Sequence, residues 1–302
     1  MLSRRILRVK TFKMIYALAE NPEMPLKEAE RRLERSCEAT RDLYLFLLTL
    51  PGALTEEAER RIEASRSKFS ATDDERNPNL KFVHNRIPAL LAEDPDFQRI
   101  VKKKKLGWDP YDAFLRHLYE DVREREWFVA YMQSGEDSLR EDAALWGRIY
   151  PLLEDNAELE GILEDLPLNW SDELPYCLKA AMRTVQQLGE GKAWSLPPLY
   201  KSDADERPAA ESDRDFILKL LRTAVRGFDG YREQLSAHTK KWDLDRICAT
   251  DLALIVCGLA EAKAFPNTPK NIIINEYVEI SKYYSTPESS GFVNGLLDKL
   301  IQ

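Results

Sequence analysis

The sequence has little of the chemistry that enzymes and metal proteins use. Its 302 residues include four cysteines and three histidines, and none of these stand at zinc-ligand or disulfide-framework spacings. It has no glycine-rich phosphate loop, no nucleophile elbow and no strand followed by a glycine-rich turn. We therefore expect no catalytic residues, no metal and no cofactor. The cysteines, expected to be buried thiols, are Cys37, Cys177, Cys248 and Cys257.

Long apolar runs are also missing. No run approaches the roughly 20 apolar residues of a membrane helix, and the start of the chain lacks the apolar centre of a secretory signal. We expect a cytoplasmic protein without membrane contact. Hydrophobic residues make up 44% of the chain, which suffices for the core of one large or two ordinary domains.

Acids outnumber bases overall, but positive charge is concentrated at the start of the chain. Lysine and arginine number 44 against 52 acids, a net charge of −8 that ordinarily argues against nucleic-acid binding. The first acid is Glu20, and five bases precede it: Arg4, Arg5, Arg8, Lys10 and Lys13. Residues 3–19 predict an amphipathic basic helix with Ser3 as its cap. Such a helix could lie on RNA, lie on an anionic membrane, or have a solvated face.

Helical periodicity continues through the chain, and no strand pattern interrupts it, so the fold class is all-α. After a helical region at 22–69, with Pro25 and Pro51 as breakers, 70–79 reads as a loop. Further helical segments cover 88–104, 109–132, 138–165, 171–188 and 213–235. Lys102–Lys105 beside Trp108 indicate either a nucleic-acid clamp or a solvated helix end.

The stretch from Trp242 to Gln302 predicts three helices separated by two proline-containing turns. Asp243 and Asp245 suit the first helix start, Thr268 before Pro269 the second, and Thr286 the third. Gly295 is expected to let a neighbouring helix come close.

This stretch resembles the NusB family of bacterial transcription antitermination factors. The match is carried by Trp242, Asp245, Arg246, Asp251, Leu254, Leu259-Ala260-Glu261, Pro269, Asn275-Glu276, Val278-Glu279, Lys282, Phe292-Val293-Asn294-Gly295 and Leu297-Asp298. The basic first helix, with Thr11-Phe12-Lys13-Met14-Ile15-Tyr16, is similar to the family's opening segment.

The resemblance implies a fold of two three-helix bundles. Residues 1–19 plus 213–302 would form this core, and 189–212 would be a linker. Residues 20–188 would be a helical insertion, as in the long Bacteroidetes-type form, with one of its helices completing the N-terminal bundle.

The resemblance also implies a function without enzymatic activity. Together with the small-subunit ribosomal protein that acts as NusE, the protein would bind single-stranded boxA RNA of ribosomal RNA transcripts. It would promote read-through by RNA polymerase, an indirect partner, and so support ribosomal RNA synthesis. The implied RNA-binding residues are Arg4, Arg5, Arg8, Lys10, Lys282, Glu288, Ser289 and Ser290. Tyr16 and Asp251 fall where the family meets its ribosomal-protein partner.

Two other interpretations remain open at the level of sequence. A similar helical domain is fused to ribosomal RNA cytosine methyltransferases, although no cofactor loop is present here. Alternatively, the chain is a protein-interaction scaffold whose insertion binds partners without RNA.

Overall fold

The computed structural model describes residues 2–166, 173–201, 212–238 and 247–301. Within these ranges the regular structure is helical throughout and contains no strand, which confirms the all-α prediction. The helices, in chain order, are α1 (Arg4–Glu20), α2 (Leu26–Arg66), α3 (Asp73–Arg76), α4 (Ile87–Ala92), α5 (Pro95–Lys104), α6 (Asp112–Glu124), α7 (Glu126–Gln133), α8 (Leu139–Ile149), α9 (Ala157–Glu164), α10 (Leu174–Gly189), α11 (Asp213–His238), α12 (Ala249–Ala264), α13 (Lys270–Tyr284) and α14 (Ser289–Leu300). Two short 3₁₀ segments cover Asp109–Tyr111 and Tyr150–Leu153.

The chain divides into two compact units. Unit 1 comprises Met1–Glu38 and Pro198–Gln302, and unit 2 comprises Ala39–Pro197. Among the described residues, no helix combines the length and the apolar character needed to cross a membrane.

Unit 1 draws on six helical segments, the number that two three-helix bundles require. They are α1, the start of α2, α11, α12, α13 and α14. The start of α2 enters the shared core through Ala29, Leu33 and Cys37, which are fully buried. Helices α1, α11, α13 and α14 all contact α12, so α12 lies at the centre of unit 1.

Helix α1 begins where the sequence predicts but is more enclosed than expected. The Ser3 side chain accepts a hydrogen bond from the Ile6 amide at 3.3 Å, which confirms the predicted cap. Residues 7–12 are all buried, because α1 packs against α11 and α12. The interpretation of α1 as a surface helix with a solvated basic face is therefore wrong for residues 7–12, which include Arg8 and Lys10.

Helix α2 does not stop at Pro51. It runs for 41 residues with Pro51 inside, so the prediction of a break there is wrong. A proline in a helix interior leaves the carbonyl four residues earlier without its partner. That carbonyl is Leu47, and the Tyr150 hydroxyl donates a hydrogen bond to it at 3.1 Å. A side chain from elsewhere in unit 2 thus supplies the hydrogen bond that Pro51 cannot make.

Trp108 belongs to the core of unit 2. It is 1% exposed, stacks between Phe46 and Phe114, and donates its indole N–H to the Phe46 carbonyl at 3.2 Å. Lys104 pairs with Asp42 at 2.6 Å. The nucleic-acid clamp interpretation of Lys102–Lys105 with Trp108 is therefore wrong, because the aromatic ring is not accessible.

The other helical segments of unit 2 are shorter than the sequence predicts. The backbone turns extended at Arg125, between α6 and α7. Helix α8 gives way to the 3₁₀ segment that contains Pro151, and Asn156 caps α9 by accepting the Leu159 amide at 2.9 Å.

The predicted helices of the C-terminal stretch are confirmed, with shifted starts. Pro269 rather than Thr268 precedes α13, and α14 begins at Ser289 rather than near Thr286. Trp242, Asp243, Asp245 and Arg246 lie outside the described residues.

Gly295 does not provide the expected close approach. A Cβ at Gly295 would meet nothing within 4 Å, whereas one at Gly258 would lie 2.7 Å from a Leu297 methyl group. The close helix contact in this region is therefore between α12 and α14, at Gly258.

Candidate nucleic-acid interface

Arg4 lies at the start of α1 and is held by α11. Its Nε is 2.9 Å from Asp213 Oδ1, and its guanidinium lies 4.3 Å from the centre of the Phe216 ring. Asp213 also accepts the backbone N–H of Lys201 at 2.9 Å and is 3% exposed. Arg4 therefore neutralises a buried carboxylate while a third of its own side chain, 34%, stays exposed.

Arg5 forms a bidentate ion pair with Glu276 on α13. Arg5 Nε lies 3.0 Å from Oε2 and Nη2 lies 2.8 Å from Oε1, the planar geometry in which guanidinium and carboxylate bind best. The hydrogen bonds with Arg5 lower the pKa of Glu276, against partial burial. The Arg5 side chain is 48% exposed, so this pair lies at the surface.

Arg8 is buried and pairs with a buried acid. Its Nη2 lies 2.6 Å from Glu261 Oε1 and its Nε lies 2.9 Å from Oε2, while the Tyr277 hydroxyl donates to Glu261 Oε2 at 2.8 Å. Arg8 Nη1 also reaches Glu276 Oε2 at 3.5 Å. We call Arg5, Arg8, Glu261 and Glu276 the arginine–glutamate network; it runs from the surface into the core.

The surroundings of the network keep Arg8 charged and the neighbouring Tyr277 hydroxyl protonated. Burial works against the charged form of Arg8, but the hydrogen bonds and charge of Glu261 outweigh it and raise the Arg8 pKa. Burial also raises the pKa of Tyr277 well above its ordinary value, so its hydroxyl stays protonated as a donor.

The two lysines of the predicted RNA-binding set differ in exposure. Lys10 is 3% exposed, and its Nζ donates to the Ser36 carbonyl on α2 at 2.7 Å. The Lys282 side chain is 52% exposed and pairs with Glu279 one turn earlier on α13. Lys10 thus ties α1 to α2, whereas Lys282 faces solvent.

Asp251, predicted to meet the protein partner, contacts the predicted RNA-binding turn. Its Oδ1 accepts from the Ser285 hydroxyl at 2.6 Å, and its Oδ2 accepts from the Ser289 hydroxyl at 2.8 Å. Glu288 is exposed, Ser289 is buried, and Ser290 is half-buried. The first turn of α12 is therefore joined to the start of α14.

One aromatic side chain of α1 and one of α13 differ in exposure. Tyr16 is half-buried and packs against the core of unit 1, so only part of it is available to a partner. Tyr283, which sequence reasoning missed, is 82% exposed beside Lys282. Its only signal in the sequence is an aromatic residue beside a lysine near the end of a helix.

Cysteine and histidine offer no metal site in the described part of the chain, where no group of three or more His, Cys, Asp or Glu side chains converges. Cys37, Cys177 and Cys257 are buried as expected, but Cys248 is exposed, which contradicts the expectation for that residue. A hydrogen bond between the Thr250 hydroxyl and the Cys248 sulfur lowers the pKa of the Cys248 thiol.

The fold and the candidate interface define a helical domain in which ion pairs hold the basic helix α1 against α11, α12 and α13. The NusB family model matches residues 178–302. The transcription antitermination protein NusB of Koribacter versatilis is 33% identical over 121 residues, 40% of this chain and 82% of that protein. The protein of the same name from Myxococcus xanthus is 32% identical over 124 residues, 40% of this chain and 88% of the relative.

The chain belongs to the NusB family. A third relative with that name, from Methylacidiphilum infernorum, is 33% identical over 98 residues, 32% of this chain and 68% of its own length. Since these matches cover most of each relative but less than half of this chain, the chain is a long form. No solved structure matches it.

Proposed function

We propose that the chain is a non-enzymatic transcription antitermination factor that binds single-stranded RNA in the cytoplasm. Its RNA would be a boxA-type element of ribosomal RNA transcripts. It would bind jointly with the small-subunit ribosomal protein that acts as NusE, and the pair would help RNA polymerase read through terminators. The name shared by the relatives supports antitermination; the RNA and the protein partner are expectations from the family resemblance.

The observation that carries this proposal is a set of exposed side chains on α1 and α13 of unit 1. Arg5 on α1 and Lys282 on α13 are both about half exposed, and Tyr283 beside Lys282 presents an exposed ring. Exposed cations bind phosphates, and an exposed ring can stack on an unpaired base. We propose that Arg4, Arg5 and Lys282 contact phosphates, with Glu288, Ser289 and Ser290 bordering them, and that Arg8 and Lys10 hold α1 in position.

The partner surface is proposed around Tyr16 and Asp251. Asp251 and Ser289 are in direct contact, so a protein that binds at the start of α12 would stabilise the turn that leads into α14. Such coupling is reciprocal, and each ligand should raise the affinity for the other.

We propose that unit 1 is the family core and that unit 2 is an insertion into it. Burial of the start of α2 in the core of unit 1 supports the view that this segment completes the N-terminal bundle. A methyltransferase needs a sheet that carries its cofactor loop, and the described residues of unit 2 are helical without a strand. This favours a non-enzymatic role.

The test is RNA binding by the full chain, with and without the ribosomal protein, as a function of salt. For single-stranded RNA each neutralised phosphate contributes about −0.7 to the log–log slope. The slope should therefore be about −2 if three cations bind phosphates and about −3.5 if five do.

A charge-matched pair of variants makes the test specific. Arg5→Ala with Lys282→Ala should weaken binding and flatten the slope. Lys102→Ala with Lys103→Ala removes two exposed charges from unit 2 and should change neither. Equal losses in both variants, or no binding by the wild-type chain, would reject the proposal.

A further inference from the structure

The three arginines of α1 differ in how easily each can leave its acid. Glu261, the partner of Arg8, has no exposed side-chain surface, and the Asp213 side chain that pairs with Arg4 is only 4% exposed. Removing either arginine from its acid would strand a buried carboxylate, which proteins avoid. Arg8 is therefore committed to the fold, and Arg4 stays paired with Asp213 even where its exposed third meets a phosphate.

Arg5 is in a different position. It is 48% exposed, and its partner Glu276 keeps a second cation, because Arg8 Nη1 lies 3.5 Å from Glu276 Oε2. If Arg5 turned away, Glu276 would still face a positive charge. Arg5 can therefore exchange its carboxylate for a phosphate at low cost.

We propose that Glu276 is a built-in competitor for Arg5 that sets the affinity of unit 1 for RNA phosphate. The inference rests on the proposed function and assigns a role to a residue outside the predicted RNA-binding set. A phosphate oxygen and a carboxylate oxygen compete for the same two N–H groups of Arg5. RNA binding then has to break the Arg5–Glu276 pair. The free energy of that ion pair therefore reduces the net free energy of RNA binding.

Replacing the carboxylate with its neutral isostere tests the competition. Glu276→Gln should raise the affinity of the full chain for a 12-nucleotide single-stranded RNA about two- to five-fold, the range expected from the strength of a surface ion pair. The proposed RNA element and a scrambled RNA of the same length should gain equally, because phosphate contacts carry no sequence information.

The chain offers a matched control. Glu34 on α2 pairs with Arg214 on α11, and Arg214 is 53% exposed, so Glu34→Gln also removes one negative charge and releases one arginine. It should leave the affinity unchanged. A gain equal to that of Glu276→Gln would mean that net charge alone is responsible and would overturn the inference.

A double-mutant cycle isolates the pair. In an Arg5→Ala background, Glu276→Gln should have no effect on RNA affinity; a full gain in that background would overturn the inference. Denaturant midpoints of all variants are measured alongside, because the competition predicts a change in affinity without loss of fold. Wild-type binding without any gain from Glu276→Gln would reject this inference alone, whereas absence of wild-type binding would reject the proposed function.

Discussion

Arg8 and Glu261 lie 253 positions apart in the sequence and meet through short, paired hydrogen bonds in the core of unit 1. Arg8 comes from the first helix and Glu261 from α12, the central one. An ion pair at this depth is held in place because the fully buried Glu261 carboxylate would otherwise lack a cation. It therefore fixes how α1 sits on α12.

Glu261→Gln should destabilise the fold by about 3–5 kcal/mol, the usual result of removing one member of a buried ion pair, because Arg8 then keeps only its longer 3.5 Å contact with Glu276. Tyr277→Phe, which removes only the hydroxyl bond to Glu261, should cost about 0.5–1.5 kcal/mol. Denaturant unfolding of both variants provides the comparison. Similar small losses in the two variants would show that the Arg8 charge is solvated and not buried.

The pH dependence of stability should report the Arg5–Glu276 pair. The pKa of Glu276 is lowered in the folded chain from its ordinary value of 4.5, so the unfolded state binds more protons. Stability from this group is therefore present above pH 4.5 and lost as the pH falls through the lowered folded-state pKa. Unfolding midpoints measured from neutral to acidic pH should fall less steeply for Glu276→Gln and for Arg5→Ala than for the wild type. Identical slopes in all three proteins would contradict the ion pair.

Two glycine-to-alanine substitutions should have opposite effects. A Cβ at Gly258 would lie 2.7 Å from a Leu297 methyl group, and overpacking of this kind costs about 1–3 kcal/mol. Gly295 has open space around it, so alanine there should stabilise α14 by about 0.5–1 kcal/mol through helix propensity. Thermal unfolding of Gly258→Ala and Gly295→Ala tests the pair. A stabilising effect at Gly258 would contradict the close packing of α12 on α14.

Tyr283 should contribute to RNA binding by stacking. Tyr283→Ala should weaken binding by about 1–3 kcal/mol if one base stacks on the ring, whereas Tyr283→Phe keeps the ring and should bind normally. Phe69→Ala removes another fully exposed ring, in unit 2, and should have no effect. Fluorescence anisotropy with a labelled RNA measures all three, and the salt slope should not change. A loss with Tyr283→Phe equal to that with Tyr283→Ala would point to the hydroxyl instead.

Cys248 should be the one thiol that reacts in the native protein. The other three cysteines are buried, whereas Cys248 is exposed and has a pKa below its ordinary value, both of which favour the reactive thiolate. Brief labelling with a maleimide should add one label to the folded chain and four to the denatured chain. Cys248→Ser should abolish labelling of the native form. More than one native label would mean that a buried cysteine becomes accessible.

The sequence predicts those parts of the fold that depend on neighbours in the chain. The apolar stripe of α11, with Ile217, Leu221 and Ala224 fully buried, follows from helical spacing alone. The Ser3 cap follows from a local hydrogen bond. Pro51 shows the limit, because its tolerance in α2 depends on Tyr150, far along the chain, which no local pattern indicates.

In the candidate interface too, the sequence indicates the local features and misses those that depend on distant residues. The run of bases before Glu20 locates α1 as the basic element, but the roles of Arg5 and Arg8 depend on acids more than 200 positions away. Arg5 and Arg8 are equivalent in the sequence, yet one is half exposed and the other is buried. Gly258 and Gly295 are likewise indistinguishable until the neighbouring helix is known.

The hydrogen bonds of Asp251 to Ser285 and Ser289 have a consequence for the kinetics of recognition. They order the turn before α14 in the free protein, so a ligand that meets Glu288 and Ser290 finds a pre-organised surface. Fixing a backbone residue costs about 1–2 kcal/mol in conformational entropy, and that cost has already been met in folding. Association at this turn should therefore be limited by encounter and orientation, without a slow ordering step.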